Sequence, residues 1–272
     1  MIITCVELVS GICLNGLALY ILVGRRKRTV GDFLLIHLST IEGIFSVWEL
    51  VYTSLYIQHS ATRLFKVHTT GLVILYTCIY QLMILITVDR VLAVKLTLRY
   101  KIIVRKRKVL VSFIILHLLS WLIGCMQWIA DVSFYNIAGV NSLFWDFLVL
   151  AITIGGYVYI ITASLCRRRK MNKGSSRIPP LKINYTIPLC IAGSFVCFMV
   201  IPDIVLTSNE KLHNSVWFSV VFKLNLICDP LSYIIVSKFK VNKNSISRTS
   251  QQKSNITVSY SKKESNCTVA SH

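Results

Sequence analysis

An all-α membrane protein with seven transmembrane helices is the fold class this sequence predicts, and three observations predict it. The 272-residue chain is 54% hydrophobic and 15% charged, too little charge to cover a soluble domain of that length. Seven windows are apolar for the ~20 residues a helix needs to cross the hydrocarbon core. The cations fall in alternate loops between those windows. Lipid offers no partner to backbone N–H and C=O groups, so spans this long are expected as helices and not strands.

The windows run over residues 2–24, 31–57, 69–91, 109–130, 143–166, 183–207 and 215–236. Span one lacks a preceding basic stretch and runs straight into Arg25, Arg26, Lys27 and Arg28, the pattern of a signal anchor. The first loop, 25–30, is short enough to make spans one and two antiparallel neighbours. Span two carries Glu42 and Glu49 on one helical face. Span three closes on Asp89-Arg90, and span four contains Trp121. Spans five and seven are interrupted by polar residues. Gly174-Ser175-Ser176 and Pro179-Pro180 break the chain before span six, which contains Pro202. Past Tyr233, Lys238-Phe239-Lys240-Val241 is a basic amphipathic stretch expected to lie on the inner membrane surface as a short eighth helix. From residue 244 the chain is rich in Ser, Thr, Asn and Lys and is expected to be disordered. The expected organisation is thus a membrane domain, 1–236, and a cytoplasmic stretch and tail, 237–272.

The net charge is +19, and its placement gives the topology. Loops one, three and five hold eighteen Lys and Arg residues, against Arg63, Lys66 and Lys211 in the alternate loops. The positive-inside rule puts the N-terminus outside and the tail in the cytosol, as in a multi-pass protein of the plasma membrane. Cations beside membrane spans point to anionic lipid and not to nucleic acid. None of the nine cysteines falls in an expected outer loop, so no disulfide framework is expected. Most are read as small apolar core residues. Cys-x-x-Cys spacing is absent, which leaves no zinc signature. Asn255-Ile256-Thr257 and Asn266-Cys267-Thr268 match the glycosylation pattern by chance, since a cytosolic tail does not meet the enzyme.

Charge inside a bilayer is costly and marks function. Asp89-Arg90 lies at the inner end of span three, in Thr87-Val88-Asp89-Arg90-Val91. Span one has Leu14-Asn15-Gly16-Leu17, span two Leu38-Ser39-Thr40-Ile41-Glu42, and span six Phe195-Val196-Cys197 with Pro202. Span seven ends Asn225-Leu226-Ile227-Cys228-Asp229-Pro230-Leu231-Ser232-Tyr233. In this order, with Trp121 in span four, the set resembles the rhodopsin-like (class A) G-protein-coupled receptors along all seven spans. The sequence departs from the pattern at Val91 and Glu42, at Val200 two residues before Pro202, at Lys182, at Ile79 where a sodium site has a serine, and in having no outer cysteine before span three.

The resemblance implies a receptor that passes a stimulus to a heterotrimeric G protein when helix six moves outward. Asp89 is then expected to hold Arg90 at rest, with Tyr157 and Tyr233 as inner partners of the open form. Pro230 and Pro202 are bendable points, because proline removes a helical hydrogen bond. Asn15, Glu42, Asn225 and Asp229 are expected in a polar core between spans one, two and seven. Arrestin and a receptor kinase are the implied partners of the tail, with Ser245, Ser247, Thr249 and Ser250 among the candidate phosphate acceptors. A transporter or channel also carries intramembrane charge, but no internal repeat is evident. No paired nucleophile and base suggests an enzyme.

Lys223 stands seven residues before Pro230, two helical turns away on the same face. That spacing resembles the opsins, whose lysine carries retinal, so an opsin-like photoreceptor is the alternative. Retinal enters as a cofactor only with that reading. Without it, Lys223 is a lysine paired with a carboxylate, and Glu49, Asp203, Asp146 and Glu7 are the partners on offer. Glu49 is the first choice because it shares a face with Glu42, and Asp203 is the second.

Overall fold

Proline and glycine placement, more than apolar periodicity, explains where these helices bend and touch. The computed structural model describes residues 2–25, 28–58, 62–96, 99–130, 134–172, 186–208, 220–221 and 223–235. Among them the chain is all-helical, with α1 (Ile2–Val23), α2 (Val30–Gln58), α3 (Thr62–Leu96), a one-turn α4 (Tyr100–Ile103), α5 (Lys106–Ala130) and α6 (Phe134–Asn172). Then follow α7 (Thr186–Phe195), a π-helical turn (Val196–Val200) and α8 (Ile201–Ser208) in one continuous rod. A last helix, α9, is described at 223–235.

Among the described residues, six helices are long and apolar enough to cross a membrane: Ile3–Val23, Val30–Leu55, Leu64–Leu96, Arg107–Met126, Leu143–Cys166 and Ile187–Val205. They make the chain a multi-pass membrane protein by length and composition. The seventh window is helical at 220–221 and 223–235, the part of it that is described. The breaks at 174–180, Lys182, the stretch 238–241 and the serine-rich tail lie outside the described residues. By internal contacts the chain divides into a unit Met1–Ser232 and a unit Tyr233–His272; within the second, residues 233–235 are helical.

Helix α3 is the hub, packed against α2, α5, α6 and α7, while α1 packs on α2. Its face Cys78, Ile79, Leu82, Met83 and Ile86 is buried. Leu8, Phe45 and Leu226 form a core between α1, α2 and α9, walled by Leu72, Leu75 and Tyr76 of α3. Outward faces stay apolar: Ile115, Leu118, Trp121 and Leu122 of α5 are exposed, as lipid-facing residues should be. This corrects the expectation for the cysteines. Of the eight described, Cys78 is the one buried, while Cys13, Cys125, Cys166, Cys190 and Cys197 are exposed. In a lipid-bathed fold a small apolar residue gains nothing by facing inward, so cysteine loses its preference for the core.

The helices exceed the apolar windows where polar turns cost nothing beyond the membrane. Span three, expected at 69–91, extends over Thr62–Leu96, and span five, expected at 143–166, extends over Phe134–Asn172. Helix α2 starts on a reciprocal cap. The Asp32 carboxylate accepts from the Thr29 amide at 2.9 Å and its own amide donates to Thr29 Oγ1 at 3.2 Å, satisfying two otherwise orphaned donors. Arg25 closes on Asp32 at 2.7 Å. In span six, Pro202 lacks the N–H that would meet the Phe198 carbonyl. The turn just before it widens to π geometry, with the Ile201 amide reaching back to the Val196 carbonyl.

Candidate functional site

Three polar clusters line the bundle in order along its length. The first is built on Asp89 and Arg90. Arg90 Nη2 lies 3.5 Å from Asp89 Oδ2, with side-chain exposures of 17% and 5%. The Tyr100 hydroxyl, from the turn after α3, donates to Asp89 Oδ1. Burial, with the Asp89 carboxylate beside it, raises the Tyr100 phenol above its ordinary pKa and keeps it a donor. Arg90 Nε is buried and has no partner among the described residues. The guanidinium rests against the backbone of Gly31, where a Cβ would collide with it. The capped start of α2 fixes Gly31 there. Tyr157 of α6 is buried near Arg90, and its hydroxyl has no partner among the described residues. Tyr233 falls in the second unit, on the last described turns of α9.

The middle cluster joins α1, α2, α7 and α9. Pro230 cannot donate to the Leu226 carbonyl four residues back. Asn15 Nδ2 of α1 takes that place, donating to Leu226 O at 3.2 Å and to Gly11 O at 3.1 Å. Glu42 is fully buried and faces Asp229. Asp229 accepts from Ser194 of α7 and from Asn225 Nδ2 at 3.2 Å. Asn225 also reaches Met199 Sδ of the π turn at 3.7 Å. Asn15, Glu42, Asn225 and Asp229 are thus brought together, and Ser194 and Met199 connect them to span six.

The third cluster is ionic. Lys223 Nζ lies 3.2 Å from Glu49 Oε2, and both side chains are nearly buried. His68 Nε2 donates to Glu49 Oε1 at 2.7 Å, and Tyr52 stacks on the His68 ring with centroids 3.4 Å apart. Glu7 of α1 lies close enough to Lys223 to feel its charge. Of the carboxylates on offer, Lys223 takes Glu49. Asp203 instead sits across from Asp146, whose Oδ1 accepts from Tyr80 at 2.7 Å. Trp121, though in the expected span, is 59% exposed and belongs to none of these clusters.

Sequence reasoning did not assign roles to Tyr100, Gly31, Ser194 or His68. Tyr100 was visible as a lone aromatic in a basic loop, and Ser194 as a hydroxyl two turns before Pro202. Nothing in the sequence marks Gly31, because its role is an absent side chain opposite a distant one. Among the described residues no group of histidine, cysteine and carboxylate side chains is arranged to hold a metal. No family model matches the chain, and no curated protein matches it either.

Proposed function

We propose that this chain is a rhodopsin-like (class A) G-protein-coupled receptor: a seven-helix bundle in the plasma membrane, N-terminus outside and tail inside, with a short amphipathic eighth helix. It transmits a stimulus to a heterotrimeric G protein by outward movement of helix six. The observation that carries the reading is the inner cluster. A costly Asp89–Arg90 pair sits at the cytosolic end of the hub helix, held by Tyr100 and seated on Gly31. A guanidinium whose buried Nε has no partner among the described residues is poised to exchange its partners. The middle cluster supplies a link: Ser194 and Met199 tie the bendable span six to the Asp229 turn of α9. A change of packing outside therefore has a polar route to the inner end. The test is nucleotide exchange on a G-protein panel with the chain in membranes. Arg90→Ala is expected to abolish exchange at unchanged surface expression, and Asp89→Asn to raise it without stimulus. Parent-like signalling in both variants would sink the mechanism.

A second reading, an opsin-like photoreceptor, is favoured by one observation: Lys223 Nζ has the Glu49 carboxylate at 3.2 Å. An amine beside a buried carboxylate fits a covalently held retinal, with Lys223 as its attachment and Glu49 as its counter-charge. Retinal would supply light absorption. His68 and Tyr52 would fix the Glu49 carboxylate. Expression with retinal should then give a visible absorbance band that is lost in Lys223→Ala. A band that survives the substitution, or no band, removes this reading and leaves the receptor reading standing.

A further inference from the structure

One carboxylate in the third cluster is shared by nitrogen groups from two other helices. Glu49 of α2 is buried, with Lys223 Nζ of α9 at 3.2 Å from Oε2 and His68 Nε2 of α3 at 2.7 Å from Oε1. His68 is buried too, and its Nδ1 has no partner among the described residues. Tyr52 covers the imidazole face with its ring nearly parallel, at 9°. One ring nitrogen is thus committed to Glu49 and the other is bare. A proton taken at Nδ1 places a positive charge against a carboxylate and under an aromatic face, and both stabilise a cation. The same proton puts two cations on one carboxylate. Lys223 is the one with an alternative: Glu7 of α1 is close enough to feel its charge, and Glu7 Oε2 is buried with no partner among the described residues. The remaining ionisable neighbours are turned elsewhere. Lys66 of α3 stands over the Trp128 ring of α5 at 5.3 Å, and Tyr76 of α3 feels the charge of Glu49. Among the described residues, no ionisable side chain of α5, α6, α7 or α8 hydrogen-bonds or ion-pairs with His68.

Resting on the receptor reading above, we propose that His68 is a proton-binding site and that acid outside the cell is a stimulus of this receptor. His68 lies less than two turns after the start of α3 at Thr62, the end that this reading puts outside. Imidazole suits the task, because its ordinary charge change falls between pH 5 and pH 8. One proton passes from solvent to Nδ1, and it returns when the solvent becomes alkaline. The charged ring becomes the stronger partner of Glu49 and releases Lys223 toward Glu7. The tie of α9 then passes from α2 to α1. Asn225 and Asp229 follow Lys223 on the same helix. A displaced Lys223 therefore bears on the Asn225–Asp229 and Ser194–Asp229 contacts that hold span six.

The test reads the proton directly and coupling separately. The full chain with isotope-labelled histidine, in lipid nanodiscs, is titrated from pH 8 to pH 5 while the imidazole signals are followed by NMR. The His68 signal is identified by its loss in His68→Gln, with His68→Asn as a second variant should the first fail to fold. It is expected to pass from neutral to charged within that range. Glu49→Gln removes the anion and should move the midpoint to a roughly tenfold higher proton concentration. Lys223→Met removes the competing cation and should move it to a roughly tenfold lower one. A histidine that serves packing alone shows neither displacement. G-protein activation is then followed in intact cells as the outer buffer is acidified at constant cytosolic pH. Exchange should rise several-fold as His68 charges, and the rise should be absent in His68→Gln and in Arg90→Ala. No charge change at His68 in that range, or a midpoint indifferent to both substitutions, overturns the proposal. Arg90-dependent exchange that ignores the outer pH also overturns it, since acid is then no stimulus. A displaced midpoint with no Arg90-dependent exchange removes the receptor reading and leaves the proton site standing.

Discussion

Replacing Gly31 by alanine isolates the seat of Arg90. The new methyl group must share space with the guanidinium, which is the mobile end of a long side chain and the part that gives way. Moving it lengthens a pair already at 3.5 Å, between groups 17% and 5% exposed. A half-buried pair of this kind contributes a net ~1 to 1.5 kcal/mol. Since about 1.4 kcal/mol is a factor of ten, the resting state should lose roughly fivefold to tenfold of its advantage. Unstimulated nucleotide exchange per surface receptor should rise by that factor. Thermal stability should scarcely change, because alanine in a helix regains roughly 0.5–1 kcal/mol over glycine. The assay is basal exchange in membranes, normalised to surface epitope, with Asp89→Asn in parallel. If Asp89→Asn raises basal exchange and Gly31→Ala does not, Gly31 is not the seat of the arginine.

Other expectations follow from the same contacts. Tyr100→Phe removes one charged hydrogen bond from Asp89 and should raise basal exchange several-fold, read in the same assay. Lys223→Met leaves Glu49 without its cation and should cost about 3 kcal/mol of stability; adding Glu49→Gln should recover part of it in thermal unfolding. Asn15→Leu orphans the Leu226 carbonyl and should destabilise by ~1–3 kcal/mol, whereas Asn15→Asp, an isosteric control without the donor, should do no better. Ser194→Ala should cut stimulated exchange without changing surface expression, because it detaches span six from Asp229.

How much of this was legible in the sequence depends on range. The helices and the polar residues inside them follow from local composition. Glu49 as the partner of Lys223 follows from a seven-residue spacing, since a helix puts Glu42 and Glu49 on one face. Asn15 near Pro230 was visible as a set of polar residues, but the reason for it was not. That reason is one carbonyl, Leu226, freed by a proline four residues later and met by a helix 211 positions away. Gly31 was out of reach for the same reason. The cysteines misled because burial rules drawn from water-soluble cores reverse when the solvent is lipid.

The π turn at Val196–Val200 has a consequence for how span six reads as a wheel. Such a turn holds one residue more than an α-helical one, and each residue advances the helix by about 100°. The stretch from Ile201 onward is therefore out of phase with the stretch that ends at Phe195 by about one side chain. A single wheel drawn through the whole span puts Asp203 on the wrong bearing. Two wheels, split at the widened turn, put it opposite Asp146. The extra residue is a phase shifter that lets one helix present Ser194 to span seven and Asp203 to span five. Deleting one residue from 196–200 would swing α8 round and leave α7 where it is.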